Sequence, residues 1–496
     1  MAKLIASVFA ESIEQVGAAA DKAAMAGADW LELRLDRWPL DQPVEAAIAA
    51  ARLPVLVACR TPEDGGQFRG TLGERRELLV HALGAGAQGL DLEHWETWAP
   101  PAGLTRLRLL IRSFHSFTGV PRELAAIRDQ LHALPGTAAK IVVTAHDLAD
   151  AAPVLELLQE TDQSIRPTVA FAMGRTAWPT RVLACALGAP FAFGSVDDEE
   201  ATAPGQPSIG LLAGLYRVRD LGAGTAVFGL LGNPALQSLG PWLHNRAFRR
   251  LGMDAVYLPF ETSRPDVVLG MLPRRQLRGL SVTAPHKAVM AEHCHRLGAA
   301  ARATGVVNTI VAETHGALTG ENTDVLGVRV ALEGAGVAPG DGRPAAVLGT
   351  GGAARAGVVA LQEMGFAVTM FGRSLDPVRE FARATGVRLA SWSDHVLTAL
   401  APAVVVHATP LGGLGRDAEE RALPEFRPRA GSHVLDMVYQ PRWTRLLRDA
   451  AAAGAHAVPG MAMFLAQAQA QVRSFTGSEL PTEVLAGFLG RGDDEP

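Results

Sequence analysis

Residues 138–144 read Ala-Ala-Lys-Ile-Val-Val-Thr, an apolar, β-branched run with one lysine inside it. Such residues suit a pleated, half-buried or buried surface, so the run predicts a strand. Its cation is unusual for this chain. Of 46 Lys and Arg residues only Lys3, Lys22, Lys140 and Lys287 are lysine, so arginine stands wherever any cation serves. Burying an ammonium is costly, and the usual response is a lowered pKa and a neutral amine. A neutral buried amine is the nucleophile that forms Schiff bases with carbonyl compounds. The alternative is a strand-end lysine whose stem is buried and whose head reaches water.

The strand is one of a series. Leu4–Ala10, Trp30–Asp36, Pro54–Cys59, Gln88–Glu93, Leu107–Ser113, Ala139–Thr144, Pro167–Met173 and Phe191–Val196 read as short apolar strands. Amphipathic stretches such as Ser12–Ala26, Glu74–Leu83, Pro121–Leu134 and Asp147–Leu158 lie between them. Alternating β-α units of this number predict a closed (β/α)8 barrel, in which chemistry gathers at the C-terminal strand ends. Polar residues fall at those ends: Glu32, Arg34 and Asp36, then Arg60, Glu93, His115, Lys140, Arg181, and the loop Thr202 to Gln206. Ion pairing across barrel layers is the competing account of Glu32 and Arg34.

Several of these pieces carry a family resemblance. Glu32-Leu33-Arg34-Leu35-Asp36, Arg60 with Gly65-Gly66, Ser113-Phe114-His115-Ser116-Phe117, Lys140-Ile141 and Ala203-Pro204-Gly205-Gln206 resemble type I 3-dehydroquinate dehydratases, over residues 1–221. The resemblance implies that Lys140 forms an imine with the C3 ketone of 3-dehydroquinate. It implies that His115 moves a proton from C2 to the leaving C1 hydroxyl. Arg181 would grip the carboxylate as a bidentate fork, with Glu32, Arg34, Arg60, Thr202 and Gln206 around the substrate. Two positions depart from the pattern. Asp64 stands where glutamate is expected before the glycine pair, and Ser116 where aspartate is expected after the histidine. If Asp64 orients His115, its reach is one methylene shorter.

Leu221-Gly222-Ala223-Gly224-Thr225 follows an expected helix, Gln206–Arg219, and reads as a linker. A new α/β pattern starts at Ala226. Pro344 to Leu348 is an apolar strand running into Gly349-Thr350-Gly351-Gly352-Ala353-Ala354, with a helix expected from about Ala353. Glycines let a backbone approach a pyrophosphate, and a helix N-terminus stabilises its charge. The next strand, Ala367–Phe371, ends at Gly372-Arg373-Ser374, without the acid that usually holds an NAD ribose. Arg373 and Ser374 suit a 2′-phosphate, so the predicted cofactor is NADP. Arg379 either helps bind that phosphate or faces solvent. Lys287 stands in a polar context with Thr283, Asn308 and Asp324, and a Lys–Asp pair can relay a proton to or from an alcohol. A surface ion pair is the alternative.

Gly232-Asn233-Pro234, Ser238 with Pro241, His244-Asn245, Val282-Thr283, Lys287, Val307-Asn308-Thr309, Asn322-Thr323-Asp324, Ala408-Thr409-Pro410-Leu411-Gly412 and Asp436-Met437-Val438-Tyr439 resemble shikimate dehydrogenase, as does Gln467-Ala468. The resemblance implies a substrate domain over 226–338, completed by helices at 445–489, and a Rossmann-like NADP domain over 340–444. Lys287 and Asp324 would be catalytic. Ser238, Gly240, Thr283, Asn308, Tyr439 and Gln467 would surround the substrate. Gly349, Gly351, Gly352, Ala353, Arg373, Ser374, Thr409, Met437 and Gly460 would surround the cofactor. Gly240 replaces a serine that helps bind shikimate's carboxylate, which opens space beside C1 and raises quinate as a substrate. Ser281, His407 and Gly372 each replace an asparagine of the pattern.

Composition bounds the rest. The chain has 496 residues, 48% of them hydrophobic and 20% charged, enough for several cores. A net charge of −5 with no basic cluster argues against nucleic acid. Cys59, Cys185 and Cys294 form no metal or disulfide spacing, which predicts a reducing, cytoplasmic setting and no metal site. No signal-peptide or membrane-spanning pattern is present, and the tail 491–496 reads as disordered. The expectation is therefore a bifunctional enzyme whose partners are 3-dehydroquinate, 3-dehydroshikimate and shikimate or quinate. A homodimer is compatible with the sequence. A ligand-sensing regulator built on the same folds would require lost catalytic positions or an added DNA-binding module, and Lys140, His115, Lys287 and Asp324 are all present.

Overall fold

The computed structural model describes residues 1–98, 100, 107–197, 202–203, 205–313, 316–414 and 418–490. Pro204 of the loop quoted above and the tail 491–496 lie outside the described residues. The chain divides into two compact units. One is Met1–Gly229 with Pro234–Ser238 and Phe248–Leu277, and the other is Leu230–Asn233 with Leu239–Ala247 and Arg278–Pro496.

The first unit is built on eight parallel strands: β1 (Lys3–Phe9), β2 (Trp30–Arg34), β3 (Val55–Ala58), β4 (Gly89–Glu93), β5 (Leu109–His115), β6 (Ala138–Thr144), β7 (Thr168–Met173) and β8 (Phe191–Ser195). Their order, β7-β6-β5-β4-β3-β2-β1-β8, is that of a (β/α)8 barrel. Residues 138–144 show why the sequence pattern works. Val142 packs inside the ring with Ile5, Ile111, Val169 and Phe171. Its neighbours Ile141 and Val143 face outward, against Leu124, Leu131, Leu157 and Leu158 of the helical layer. A strand buried on both faces is apolar throughout, so Lys140 is the residue that breaks the run.

Among the described residues β7 and β8 share no ladder. Helix Thr180–Ala186 packs against both. Its Arg181 lies over the Phe171 ring of β7, 4.0 Å from the centroid, and donates from Nη1 to the Phe193 carbonyl of β8 at 3.2 Å. An arginine thus supplies a donor where the ladder supplies none.

Two expectations need correction. Helix is confined to residues 209–215, ending in a π turn at Leu211–Leu215, and does not span Gln206–Arg219. Ser208 instead bridges Ser195 at the end of β8, and Gly210 and Gly214 weaken helix propagation. The glycine-rich stretch 221–225 is a pinned turn. Thr225 is buried, accepts from the Gly222 amide at 2.9 Å and donates to Asp254 at 2.7 Å.

In the second unit, β11 (Leu277–Val282), β13 (Thr309–Ala312) and β14 (Leu318–Glu321) form an antiparallel ladder, with the short β12 (Arg296–Leu297) parallel to β14. Strands β9 (Ala226–Gly232) and β10 (Ala255–Glu261) precede them in the chain. A wholly parallel sheet follows: β15 (Pro344–Leu348), β16 (Ala367–Gly372), β17 (Arg388–Ser391), β18 (Val404–His407), β19 (His433–Asp436) and β20 (His456–Pro459). Its order is β17-β16-β15-β18-β19-β20, the 3-2-1-4-5-6 arrangement of dinucleotide-binding sheets. Helix Gly352–Glu363 starts one residue before the expected Ala353. Helix Gly460–Thr476 packs along helix Thr323–Gly334. Among the described residues no helix is long and apolar enough to cross a membrane.

A second tier of charge underlies the barrel rim. Arg75 is wholly buried, pairs with Glu93 and with Glu96 at 3.1 Å, and donates to the Cys59 carbonyl at 2.6 Å. Removing one partner of a buried pair leaves an uncompensated charge, at a cost of about 3–5 kcal/mol. Arg75→Ala is therefore expected to lower the unfolding free energy of the barrel transition by that order, obtained from urea titration followed by intrinsic fluorescence. A surface control, Arg52→Ala, is expected to leave that free energy within about 0.5 kcal/mol.

Candidate active sites

The barrel encloses a cavity of about 650 Å³ at the C-terminal strand ends. It is lined by Glu32, Arg34, Arg60, His115, Lys140, Arg181, Thr202 and Gln206, together with Ser7, Phe117, Met173 and Phe193, while Asp36 and Glu93 of the expected strand ends are not on the lining. The strand period explains the convergence. Glu32 and Arg34 are two apart on β2, as are Ser113 and His115 on β5.

Lys140 is 3% exposed and bonded to Asp91, with Glu32 at 3.5 Å and the Phe193 ring centroid at 4.4 Å. The sequence argument from burial in apolar surroundings does not describe this environment, because two carboxylates face the amine. Asp91 is the residue that sequence reading missed. It alternates with Glu93 on β4, and two acids at i and i+2 on an otherwise apolar strand were the available signal. Burial raises the Asp91 pKa, but the charges of Lys140 and Arg60 outweigh it and hold the group down to about 2. Glu93 shows the opposite balance. Its burial outweighs Arg75 and Arg60 and pushes it up to about 7.

Arg60 sits at the centre. Its Nη2 donates to Asp91 at 3.1 Å, Glu32 and Glu93 lie within 4 Å, and Nη1 is 2.5 Å from His115 Nε2. Arg34 makes a bidentate pair with Asp36, at 2.7 and 3.1 Å, in line with the structural account of that residue. Glu32 accepts from Ser7 at 2.5 Å. Gln206 Oε1 accepts from the amide and hydroxyl of Thr202, fixing the last loop across the cavity. Burial lowers the Arg181 pKa to about 9, with Glu32 the acid that opposes the shift. Asp64 does not meet His115. It accepts from Trp95 Nε1 at 2.8 Å and from Thr61 at 3.2 Å.

Glu32 Oε1, Arg60 Nε, Asp91 Oδ1, Glu93 Oε1, His115 Nδ1 and Arg181 Nε are buried without a hydrogen-bond partner among the described residues. Native interiors leave few such atoms unpaired. Their concentration around one cavity marks a site for a polar, anionic ligand.

The second unit holds the other group. Lys287 is bonded to Asp324 near the start of helix Thr323–Gly334. Asn308 organises the surroundings, donating to Asp324 at 2.8 Å and Thr323 Oγ1 at 2.9 Å, and accepting from the Thr323 amide at 2.8 Å. Gln467 lies 3.5 Å from Thr323 Oγ1, and the Tyr439 ring stacks 4.7 Å from Phe464. Thr283 donates its amide to the Leu231 carbonyl at 2.8 Å. Ser238 belongs to the first unit and Gly240 opens helix Gly240–Arg250.

The glycine loop follows β15, and Gly349 has φ of +124°, a conformation that favours glycine. Gly351 caps helix Gly352–Glu363, whose first turn includes Ala353. A Cβ on Gly352 would lie 2.9 Å from Lys287 Cδ, so the loop packs directly on the lysine stem. Arg373 and Ser374 are exposed at the end of β16, while Arg379 pairs with Asp376 in solvent. The residues fit a 2′-phosphorylated dinucleotide: a glycine turn at a helix start, and a cation where an acid would repel phosphate. Thr409 follows β18, Met437 follows β19, and Gly460 packs on the Asp436 and Val438 carbonyls.

Comparison with known proteins agrees with both halves. The model of the type I 3-dehydroquinase family matches residues 4–222, and that of the shikimate dehydrogenase substrate binding domain matches residues 230–310. A chloroplastic bifunctional 3-dehydroquinate dehydratase/shikimate dehydrogenase of Arabidopsis thaliana is 30% identical over 97% of this chain and 83% of its own. An NADP(+) shikimate dehydrogenase of Rubrobacter xylanophilus is 39% identical over 51% of this chain and 91% of its own. The dehydroquinate dehydratase and shikimate dehydrogenase structure from S. pombe AroM covers 98% of both chains at 22% identity, with a TM-score of 0.42. This chain belongs to the family of bifunctional 3-dehydroquinate dehydratases/shikimate dehydrogenases.

Proposed function

We propose that the two sites act in series on one carbon skeleton, with the residue roles that follow. The barrel dehydrates 3-dehydroquinate to 3-dehydroshikimate. Lys140 attacks the C3 ketone as the free amine. The C3–O bond then breaks, and the ketone oxygen leaves as water, taking one proton from the nitrogen and one from solvent. The ionised Asp91 beside the nitrogen stabilises its cationic form. The resulting iminium draws electrons from the C2–H bond. His115 removes that proton and returns one to the departing C1 hydroxyl, which leaves as water. Water later hydrolyses the iminium to free the product and restore the amine. Arg181 binds the carboxylate, and its lowered pKa reflects a buried cation short of counter-charge. Glu32, Arg34, Arg60, Thr202 and Gln206 hold the hydroxyls and ring. The cluster of unpaired buried polar atoms around Lys140 is the observation that carries this reading.

The second site, in the portion assigned to 226–338 and 445–489, reduces the 3-dehydroshikimate ketone to shikimate. Bound NADPH supplies the hydride. Lys287 and Asp324 hold and deliver the proton that the new alcohol oxygen requires, and Asn308 fixes the Asp324 carboxylate. Thr283, Tyr439 and Gln467 position substrate. Gly349, Gly351, Gly352 and Ala353, within the NADP domain assigned to 340–444, receive the pyrophosphate. Arg373 and Ser374 take the 2′-phosphate, and Thr409, Met437 and Gly460 flank the nicotinamide. The protein is assigned to the cytoplasm, consistent with its three free cysteines.

One observation favours a second reading of this half. Gly240 offers no hydroxyl where the pattern has serine, which makes room for the extra C1 hydroxyl of quinate.

Five outcomes test these assignments. With 3-dehydroquinate, enone absorbance is expected to rise, and NADPH added afterwards to be oxidised. Lys140→Met should abolish the first signal and borohydride trapping but keep reduction of added 3-dehydroshikimate. Lys287→Ala should do the reverse, with a loss of about 10²–10⁴-fold in reduction. Enone formation by Lys140→Met would sink the imine. Arg373→Ser should raise the KM for NADPH by about 10–100-fold and leave that for NADH unchanged, since a charge-assisted bond contributes about 1.5–3 kcal/mol. Gly240→Ser should move the quinate-to-shikimate ratio of kcat/KM towards shikimate by about tenfold, one hydrogen bond's worth. An unchanged ratio would remove quinate from consideration.

A further inference from the structure

His115 stands without the carboxylate neighbour that its assigned chemistry usually has. Asp64, the acid nearest in sequence to the glycine pair, is engaged by the Trp95 indole at 2.8 Å. Ser116, where a second acid was expected, donates to the Gly119 carbonyl at 2.8 Å. The ring instead meets a cation, with Arg60 Nη1 2.5 Å from Nε2. Arginine has donors only. Nε2 must therefore be the acceptor and carry its lone pair, which puts the single proton of a neutral imidazole on Nδ1. That Nδ1 is buried and has no partner among the described residues.

We propose that Arg60 has taken over from a carboxylate as the positioning residue of His115, fixing the ring neutral with its Nε2 lone pair held by a donor. Four cationic or imidazole groups around the ring act in the same direction: Arg60 lies two residues past β3, Lys140 is on β6, Arg34 on β2, and His94 follows β4. Burial, followed by the charges of those four groups, holds the His115 pKa well below the ordinary value. The acids of this wall, Asp91, Glu93 and Glu32, lie beside Arg60 and Lys140, and keep the arginine charged and in place.

The sign of the consequence is fixed. A base of lowered pKa is already deprotonated at mildly acidic pH, so dehydration loses activity only when pH falls through that lowered value. A carboxylate-partnered histidine would lose it near or above ~6.5. The catalytic consequence rests on the reading of His115 as the barrel's base, but the ring's titration does not.

The test is a 13C NMR titration of the full chain labelled at histidine Cε1, without substrate, from about pH 4.5 to 8.5. The His115 signal is identified by its loss in His115→Gln. The ring is expected to remain neutral to at least about one unit below ~6.5 in the wild-type protein and in Asp64→Asn alike. Arg60→Gln should raise its titration by about one unit or more. Titration of the wild-type ring at or above ~6.5, or a shift in Asp64→Asn as large as in Arg60→Gln, overturns the proposal. If Arg60→Gln does not fold, the wild-type and Asp64→Asn titrations still decide it. Borohydride trapping at Lys140 in separate aliquots given 3-dehydroquinate reports separately on the imine.

Discussion

The barrel site depends on the problem of burying charge. Lys140, Arg60, Arg34 and Arg181 share a small volume with Asp91, Glu32, Glu93 and Asp36, all nearly removed from water. Removing an isolated ion from water costs several kcal/mol even after relaxation, so none of these groups is tolerable alone. Lys140, Arg60 and Arg34 each pair with an acid, Arg181 rests on the Phe171 ring and the Phe193 carbonyl instead, and Arg75 with Glu96 extends the arrangement one tier lower. The pairing is incomplete by design of the geometry. Of the residues that carry unpaired atoms, Glu32, Arg60, His115 and Arg181 line the cavity, and a polyhydroxylated carboxylate brings donors and acceptors to them. Binding energy then comes from satisfying groups that the fold has already desolvated.

This also explains what was legible in the sequence. The eight strands could be placed because strands buried on both faces are apolar, and Ile141 and Val143 against Val142 show that two-sided burial directly. The site residues could be placed because a charge in such a run has no bland place to go. Partners were harder. Asp91 lies in a strand no more remarkable by pattern than its neighbours, and only its spacing from Glu93 marks it. The engagement of Asp64 by Trp95 is a contact between residues 31 apart, which no local rule supplies. The expected helix over 206–219 is shortened because Ser208 pairs with the last residue of β8, a contact between distant residues that local pattern does not show.

In the second unit the informative failures are substitutions that come in pairs. Ser281, in place of an asparagine, donates to Gln471 at 2.9 Å, and Gln471 in turn donates to the Asn308 carbonyl and Thr309 hydroxyl. His407, another replaced asparagine, bridges Asp436 at 2.8 Å and Thr409 at 2.5 Å. At Gly372 a Cβ would lie 2.4 Å from Thr350 Cγ2, so the missing side chain makes room for the glycine loop itself. Each departure reads as a loss when one position is considered. With its partner in view, the polar groups are satisfied and the loop positions are kept.

The two lysines complete the argument, because the same pair, ammonium and carboxylate, is set for two different tasks. Lys140 is enclosed by two buried carboxylates: Asp91 touches it and Glu32 is 3.5 Å away. Lys287 has one carboxylate, Asp324, and its side chain is 14% exposed. Asn308 occupies the other Asp324 oxygen at 2.8 Å, so that carboxylate is oriented towards the lysine. Water reaches the Lys287 side chain, whereas the Lys140 side chain is 3% exposed and meets only the charges of its own wall. Under the roles proposed above, that contrast suits a proton donor refilled from solvent in one site and a covalent cycle closed to solvent in the other.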